Sequence, residues 1–152
     1  MHQFFRTYRP MVFFLIILIG MIGLDLWQRS DAEESAPNVH HEQILQDIAP
    51  QEAQALIQEH QGEEDFVILD VRTPREFEGG RLEQAVNLDY YSENFREALN
   101  KLDKDKMYLV YCRSGSRSRQ TLRLMEDLNF SHAYNLSGGI LRWHSQGLPV
   151  VQ

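Results

Sequence analysis

The chain has 152 residues, of which 43% are hydrophobic, 24% charged and 11% aromatic, a composition typical of one folded domain and not of a disordered chain. Residues 1–30 carry three arginines and one aspartate, whereas the rest of the chain carries 12 basic and 21 acidic residues; a body this acidic repels phosphate backbones, so we expect no nucleic acid partner. The single cysteine, Cys112, excludes an intramolecular disulfide framework, a Cys-x-x-Cys redox pair and a Cys-rich zinc site.

The first 29 residues differ from the rest. Arg6 and Arg9 precede an apolar stretch at residues 11–27 that one aspartate interrupts. The apolar region of a signal peptide runs about 7–15 residues and a membrane span about 17–25, so residues 1–29 predict a signal or a transmembrane anchor. We expect an uncleaved anchor formed by residues 11–27, with the arginines in the cytoplasm and the acidic body in the periplasm. The alternative is a cleaved signal and a soluble periplasmic protein.

Residues 30–43 are polar and acidic and contain one proline, which predicts a linker. His40 and His41 lie within it, but neither a nearby cysteine nor a ligand-like spacing accompanies them. We interpret them as a solvated pair and expect no metal site.

Short apolar runs alternate with amphipathic segments over residues 44–150. The patterns predict, in chain order, a strand at 44–48, a helix from Pro50 through about His60, a strand at 66–69, a short helix at 74–78, a weak strand at 85–88, a helix at 93–102, a strand at 107–111, a helix at 118–128, a strand at 133–136 and a short helix through Trp143. Strands that alternate with helices predict an α/β fold, a small parallel sheet of about five strands with helices on both faces.

Residues that can carry chemistry follow the two strongest strands. Because parallel strands place their sites at their carboxyl ends, Cys112 after one strand and Asp70 and Arg72 after the other should lie at one edge of the sheet. The loop after Cys112 is small and polar, contains glycine and leads into a helix. Its backbone N–H groups and the positive end of the helix dipole predict an anion cradle.

Three arginines, Arg113, Arg117 and Arg119, reverse the acidic charge of the domain around this loop. A thiol with an unperturbed pKa of about 8.5 is only about 3% ionised at pH 7, and a pKa lowered by two units would make it about three quarters ionised. The pattern therefore predicts an activated Cys112 thiolate that also binds an anion. The alternative is a buried cysteine packed as a small hydrophobic residue, with solvated arginines.

Four segments occur together in this order: LDVRTP at 69–74 with EF at 76–77, VYCRSGSRS at 110–118, LSGG at 136–139 with Trp143, and GLP at 147–149. On these segments the chain resembles the rhodanese-like (thiosulfate sulfurtransferase) family over residues 44–149. The resemblance implies the three-layer rhodanese-like fold and a persulfide relay without a cofactor. Cys112 would take a sulfane sulfur from an anionic donor such as thiosulfate and pass it to a thiol or cyanide.

The resemblance also implies roles for individual residues. Backbone N–H groups of the loop would hold the persulfide, and Arg113 and Arg117 would steer the donor; the substrate-binding residues are then Arg113, Ser114, Gly115, Ser116, Arg117 and Ser118. Supporting roles fall to Asp70, which would bond to the loop backbone, and to Arg72, which would pair with Glu76. The turn at 80–85 reads GRLEQA, where the family usually has Gly-His-Ile-Pro-Gly-Ala.

Other functions fit the sequence less well. Phosphatases and arsenate reductases with a Cys-x5-Arg loop need an arginine where this chain has Ser118, and the arginine here comes one residue earlier, at Arg117. A Cys–His hydrolase needs a positioned base, and nothing near His132 or His144 marks one. A non-catalytic rhodanese-like binding module is the other alternative, against which the intact cationic loop argues.

Overall fold

The computed structural model describes residues 43–152 of the chain. The predicted signal or anchor at 1–29, and all but the last residue of the predicted linker, lie outside the described residues. Within residues 43–152, no helix has both the length and the apolar character needed to cross a membrane.

Strands and helices alternate throughout the described part of the chain. In chain order they are β1 (Ile44–Ile48), α1 (Pro50–Glu59), β2 (Phe66–Asp70), α2 (Pro74–Glu78), β3 (Val86–Asn87), α3 (Phe95–Asn100), β4 (Met107–Tyr111), α4 (Ser116–Asp127), β5 (His132–Leu136) and α5 (Gly139–Ser145). The strands form one five-stranded sheet in the order β1-β5-β4-β2-β3, and every pair of neighbouring strands is parallel. This confirms the predicted α/β fold and its five-stranded parallel sheet.

Helices cover both faces of the sheet, as predicted. On one face α3 and α4 bury Leu99 and Met125 against the strands. On the other face α1 and α5 bury Ala53 and Trp143. The central strand β4 (MYLVY) is buried from Tyr108 onward because both of its faces are covered.

The predicted elements occur, but several of their ends differ. Helix α4 begins at Ser116 rather than at residue 118, because Gly115 takes a left-handed conformation with φ 89° and serves as its N-cap. Ser116 and the two residues after it therefore lie in the first turn of α4 rather than in an open loop. Helix α3 is shorter than predicted, and β3 has only two residues.

Candidate active site at the Cys112 loop

The sheet brings together the two chain segments in which the sequence predicted chemistry. Strands β2 and β4 are neighbours, with Asp70 in register with Tyr111. The backbone N–H of Val71 donates to the carbonyl of Tyr111 at 2.9 Å. Cys112, directly after β4, and Asp70, at the end of β2, therefore share one edge of the sheet, as predicted.

The Cys112 thiol is buried, with 1% of the residue exposed. Its Sγ accepts hydrogen bonds from the backbone N–H of Gly115 at 3.1 Å and from the Ser118 hydroxyl at 3.5 Å. Burial on its own raises the pKa of Cys112, but hydrogen bonds from Ser118 and from the backbone N–H groups of Ser114 and Gly115 outweigh it. The net effect is a pKa below the ordinary value of a thiol, so the loop favours the thiolate.

Helix α5 binds the carbonyl groups at the start of the Cys112 loop. The N–H groups of Ile140 and Leu141, in the first turn of α5, donate to the carbonyls of Cys112 at 2.9 Å and Arg113 at 3.1 Å. Gly139 makes this approach possible, because a Cβ there would lie 2.6 Å from the Arg113 carbonyl group. With its first carbonyls bound to α5, the loop can direct its later N–H groups toward Sγ.

Arg117 makes an ion pair that the sequence did not predict. Its two terminal nitrogens each donate to one carboxylate oxygen of Glu76 at 2.8 Å, and its guanidinium carbon lies 5.4 Å from the centre of the Tyr91 ring. The hydrogen bond from Arg117 lowers the pKa of Glu76 to about 2, against a smaller effect of burial and with help from Thr73. That Arg117 steers the sulfur donor stays a prediction. In this structure both of its terminal nitrogens already donate to Glu76.

The predicted pair between Arg72 and Glu76 is wrong. Arg72 is 5% exposed and pairs with Asp70, at 2.6 Å for its shortest contact. Glu76 instead sits at the third position of α2, where it accepts the backbone N–H of Thr73 at 3.1 Å in a capping box and reaches Arg117. The i, i+4 rule holds for two residues inside one helix, and Arg72 precedes α2.

Asp70 and Arg72 form a buried network at this edge of the sheet. The predicted bond from Asp70 to the loop backbone does not occur among residues 43–152, where the Asp70 carboxylate accepts from Arg72. Asp70 accepts the backbone N–H of Arg72 at 2.9 Å, and Arg72 also donates to the carbonyl of Gly80 at 2.7 Å. The Tyr111 hydroxyl accepts the backbone N–H of Leu82 at 3.2 Å. Sequence reasoning missed the role of Tyr111, although a tyrosine directly before the candidate nucleophile at the end of a buried strand was a signal for it.

The atypical turn at 80–85 is held by the end of the chain. The backbone N–H and carbonyl of Arg81 exchange two hydrogen bonds of 2.8 Å with Val151. Gln84 takes a left-handed conformation, with φ 61°. These contacts account for a defined turn without the family's proline and second glycine.

The remaining predicted residues occupy different environments. Arg113, Ser114 and Ser116 are exposed on the loop, whereas Gly115 and Ser118 are buried beneath it. Arg119 pairs with Asp47 at 2.7 Å, with about half of each side chain exposed.

Within residues 43–152, no hydrogen bond joins His132 or His144 to the Cys112 sulfur. Over the same residues, no group of three or more His, Cys, Asp and Glu side chains is arranged to hold a metal ion.

Similarities to known proteins and structures identify the family of this chain. The family model for the rhodanese-like domain matches residues 50–146. A sulfurtransferase of Allochromatium vinosum is 33% identical over 100 residues, which cover 66% of this chain and 92% of that protein. A thiosulfate sulfurtransferase of Pseudomonas syringae is 32% identical over 98 residues, which cover 64% and 86%. The crystal structure of a rhodanese-related protein from Thermoplasma volcanium superposes with a TM-score of 0.57 at 29% identity, covering 70% of this chain and 97% of that one. The chain therefore belongs to the rhodanese-like domain family.

Proposed function

We propose that this protein is a sulfurtransferase that carries a sulfane sulfur on Cys112. The observation that carries the proposal is the environment of the Cys112 sulfur, which accepts hydrogen bonds from Gly115 and Ser118 and whose pKa is lowered. A thiolate is the nucleophilic form of cysteine. The sulfurtransferases among the relatives support this activity in general terms.

With thiosulfate as donor, the reaction has two balanced steps. The Cys112 thiolate attacks the outer sulfur of thiosulfate, a new S–S bond forms, and sulfite leaves with the electron pair of the old S–S bond. The resulting persulfide anion then gives its outer sulfur to cyanide or to a thiolate, and the electron pair of the breaking bond returns to Cys112. No proton or external oxidant is needed, so the thiol and its loop suffice.

The loop fits this chemistry better than phosphoryl transfer. A phosphatase of the Cys-x5-Arg type needs a guanidinium directed at the phosphate oxygens, and here both terminal nitrogens of Arg117 donate to Glu76. Arg113, Ser114 and Ser116 are exposed in the loop that follows Cys112. We propose that these loop residues meet the anionic donor, with Gly115 and Ser118 holding the inner sulfur.

The test uses the full chain and its Cys112→Ser variant. We expect wild type to transfer sulfur from thiosulfate to cyanide, and mass spectrometry after donor exposure to find one added sulfur on Cys112. The variant should show neither result. Wild-type turnover in Cys112→Ser would rule out the nucleophile, and an inactive wild type that gains no sulfur would favour the non-catalytic binding module. Hydrolysis of a phosphate ester would favour the phosphatase alternative.

We also propose that residues 11–27 anchor the chain and that the domain faces the periplasm. The proposal rests on the sequence, in which arginines precede the apolar stretch and acidic residues follow it. A periplasm-dependent reporter fused after Gln152 should be active, and the chain should stay with membranes after a high-salt wash. An inactive reporter would contradict the orientation, and an active reporter with soluble protein beginning near Glu33 would favour the cleaved signal.

A further inference from the structure

Two exposed arginines belong to the Cys112 loop and to the helix that binds it. Arg113 belongs to the loop and Arg142 to α5, and both are exposed. Within residues 43–152, neither pairs with a carboxylate, in contrast to Arg72, Arg117 and Arg119, which all do. The paired arginines are committed to the protein itself, so the unpaired ones are available to a ligand.

Contacts through the glycines place Arg142 next to the loop. A Cβ built on Gly138 would lie 2.6 Å from Cβ and 2.7 Å from Cδ of Arg142, so the aliphatic part of that side chain runs across Gly138. Gly138 also lies close to Gly115, where a Cβ would be 3.0 Å from the Gly138 nitrogen. Gly115 is the residue whose N–H donates to the Cys112 sulfur. The stem of Arg142 and the backbone of Gly115 therefore both lie close to Gly138.

The neighbour of Arg142 adds an apolar surface. Leu141 is 52% exposed, and its N–H donates to the carbonyl of Arg113. We call Leu141, Arg113 and Arg142 the rim of the loop on the α5 side. This rim combines an exposed leucine with two unpaired cations. A ligand that suits this rim has an anionic group separated by a short apolar spacer from the atom that reaches the sulfur.

We infer that Arg142 is a specificity residue that selects sulfur acceptors carrying a carboxylate on a short apolar spacer, that is, small anionic thiols. The inference rests on the proposed sulfurtransferase function. Arg142 then affects the acceptor half-reaction and not the donor half-reaction. Thiosulfate carries its charge next to the reacting sulfur and stays within the loop. An acceptor thiol with a distant carboxylate extends over Gly138 to Arg142.

The test compares two acceptors of matched shape, β-mercaptopropionate and its neutral amide, β-mercaptopropionamide, on the full chain charged with thiosulfate. The measured quantity is the ratio of kcat/KM for the acid to kcat/KM for the amide. In Arg142→Gln this ratio should fall about 3- to 10-fold, the range between an exposed ion pair and a charge-assisted hydrogen bond. Arg142→Lys should recover part of the loss, and Arg142→Glu should turn the preference toward cysteamine, a cationic thiol.

Arg123→Gln is the matched control. Arg123 is an exposed arginine without a carboxylate partner in the described part of the chain, and it lies about 10 Å along α4 from Ser116. Its removal changes the net charge equally, so the ratio should stay at the wild-type value. Raising the ionic strength should lower the ratio more in wild type than in Arg142→Gln, where Arg113 is the remaining cation.

An equal fall of the ratio in the Arg123 and Arg142 variants would overturn the inference, since a diffuse field would then account for the preference. So would an unchanged ratio in Arg142→Gln. Failure of the proposed function itself has a different signature: wild type would gain no sulfur on Cys112 and would transfer none to either thiol.

Discussion

Replacing Glu76 by glutamine removes the carboxylate that joins α2 to the Cys112 loop. Both oxygens of Glu76 accept from Arg117 at 2.8 Å, and the side chains of Arg117 and Glu76 are only 14% and 29% exposed. A bidentate pair that is shielded to this extent should contribute more than an ordinary surface pair. The variant leaves Arg117 partly buried and opposite a neutral amide.

The pKa of Glu76 gives the size of the effect. The carboxyl has a pKa of about 2 in the folded protein, with the hydrogen bond from Arg117 as the largest cause, against an ordinary value of 4.5. That difference corresponds to about 3 kcal/mol of stability from the charged form. Glutamine keeps one oxygen to accept from Arg117, so we expect Glu76→Gln to lower the free energy of unfolding by about 1.5–3 kcal/mol at pH 7.

The sign of the pH dependence follows from the lowered pKa. A carboxyl whose folded pKa lies below its unfolded pKa contributes its full stability above about pH 4.5 and loses it as the pH falls toward about 2. The difference in unfolding free energy between wild type and Glu76→Gln should therefore shrink over this window. Urea unfolding followed by circular dichroism at several pH values measures it.

Glu97→Gln is the control for this experiment. Glu97 pairs with Lys101 across one helical turn, but the two side chains are 68% and 72% exposed, so the loss should not exceed about 0.5 kcal/mol. A loss in Glu76→Gln no larger than that in Glu97→Gln, or a difference from wild type that stays constant down to pH 2, would refute the reasoning.

Two further predictions concern the loop. Ser118→Ala removes the hydroxyl that donates to the Cys112 sulfur at 3.5 Å, so the pKa of the thiol should rise. The pH profile of alkylation by iodoacetamide should then move to higher pH. An unmoved profile would show that the hydroxyl does not act on the thiolate. Gly139→Ala and Gly147→Ala both place alanine at positive φ, 58° and 74°, but only Gly139 faces backbone atoms within 3 Å. Both variants should lose about 1–2 kcal/mol of stability from backbone strain, and Gly139→Ala should lose about 1–3 kcal/mol more and most of its activity; equal losses in urea unfolding would contradict the close approach of α5 to the loop.

Local patterns were enough to predict the sheet and its helices. The run Phe66–Asp70 is apolar until its last residue, and the segment Met107–Tyr111 is mostly apolar, so both could be assigned as buried strands. Their carboxyl ends share an edge in any parallel sheet, which is why the neighbourhood of Cys112 and Asp70 could also be predicted.

What the sequence could not supply is the pairing of side chains across long separations. Glu76 and Arg117 are 41 residues apart, and no periodicity relates them, whereas the spacing of Arg72 and Glu76 suggested a pair that does not form. The start of α4 was misplaced for a related reason. Gly115, which is left-handed at the start of α4, lies close to Gly138, from a segment that follows β5.

Peptide geometry, more than arginine charge, accounts for the lowered pKa of Cys112. The groups that lower it are the Ser118 hydroxyl and the backbone N–H groups of residues 114, 115 and 118, and α5 binds the loop carbonyls on the opposite side. Arg117 can therefore remain paired with Glu76 without loss of the thiolate. Because none of these hydrogen bonds comes from an arginine, Arg113 and Arg142 remain the cations that we propose for substrate contact. We therefore propose a division of roles, in which hydrogen bonds from Ser118 and the loop backbone favour the thiolate and the exposed arginines select the substrates.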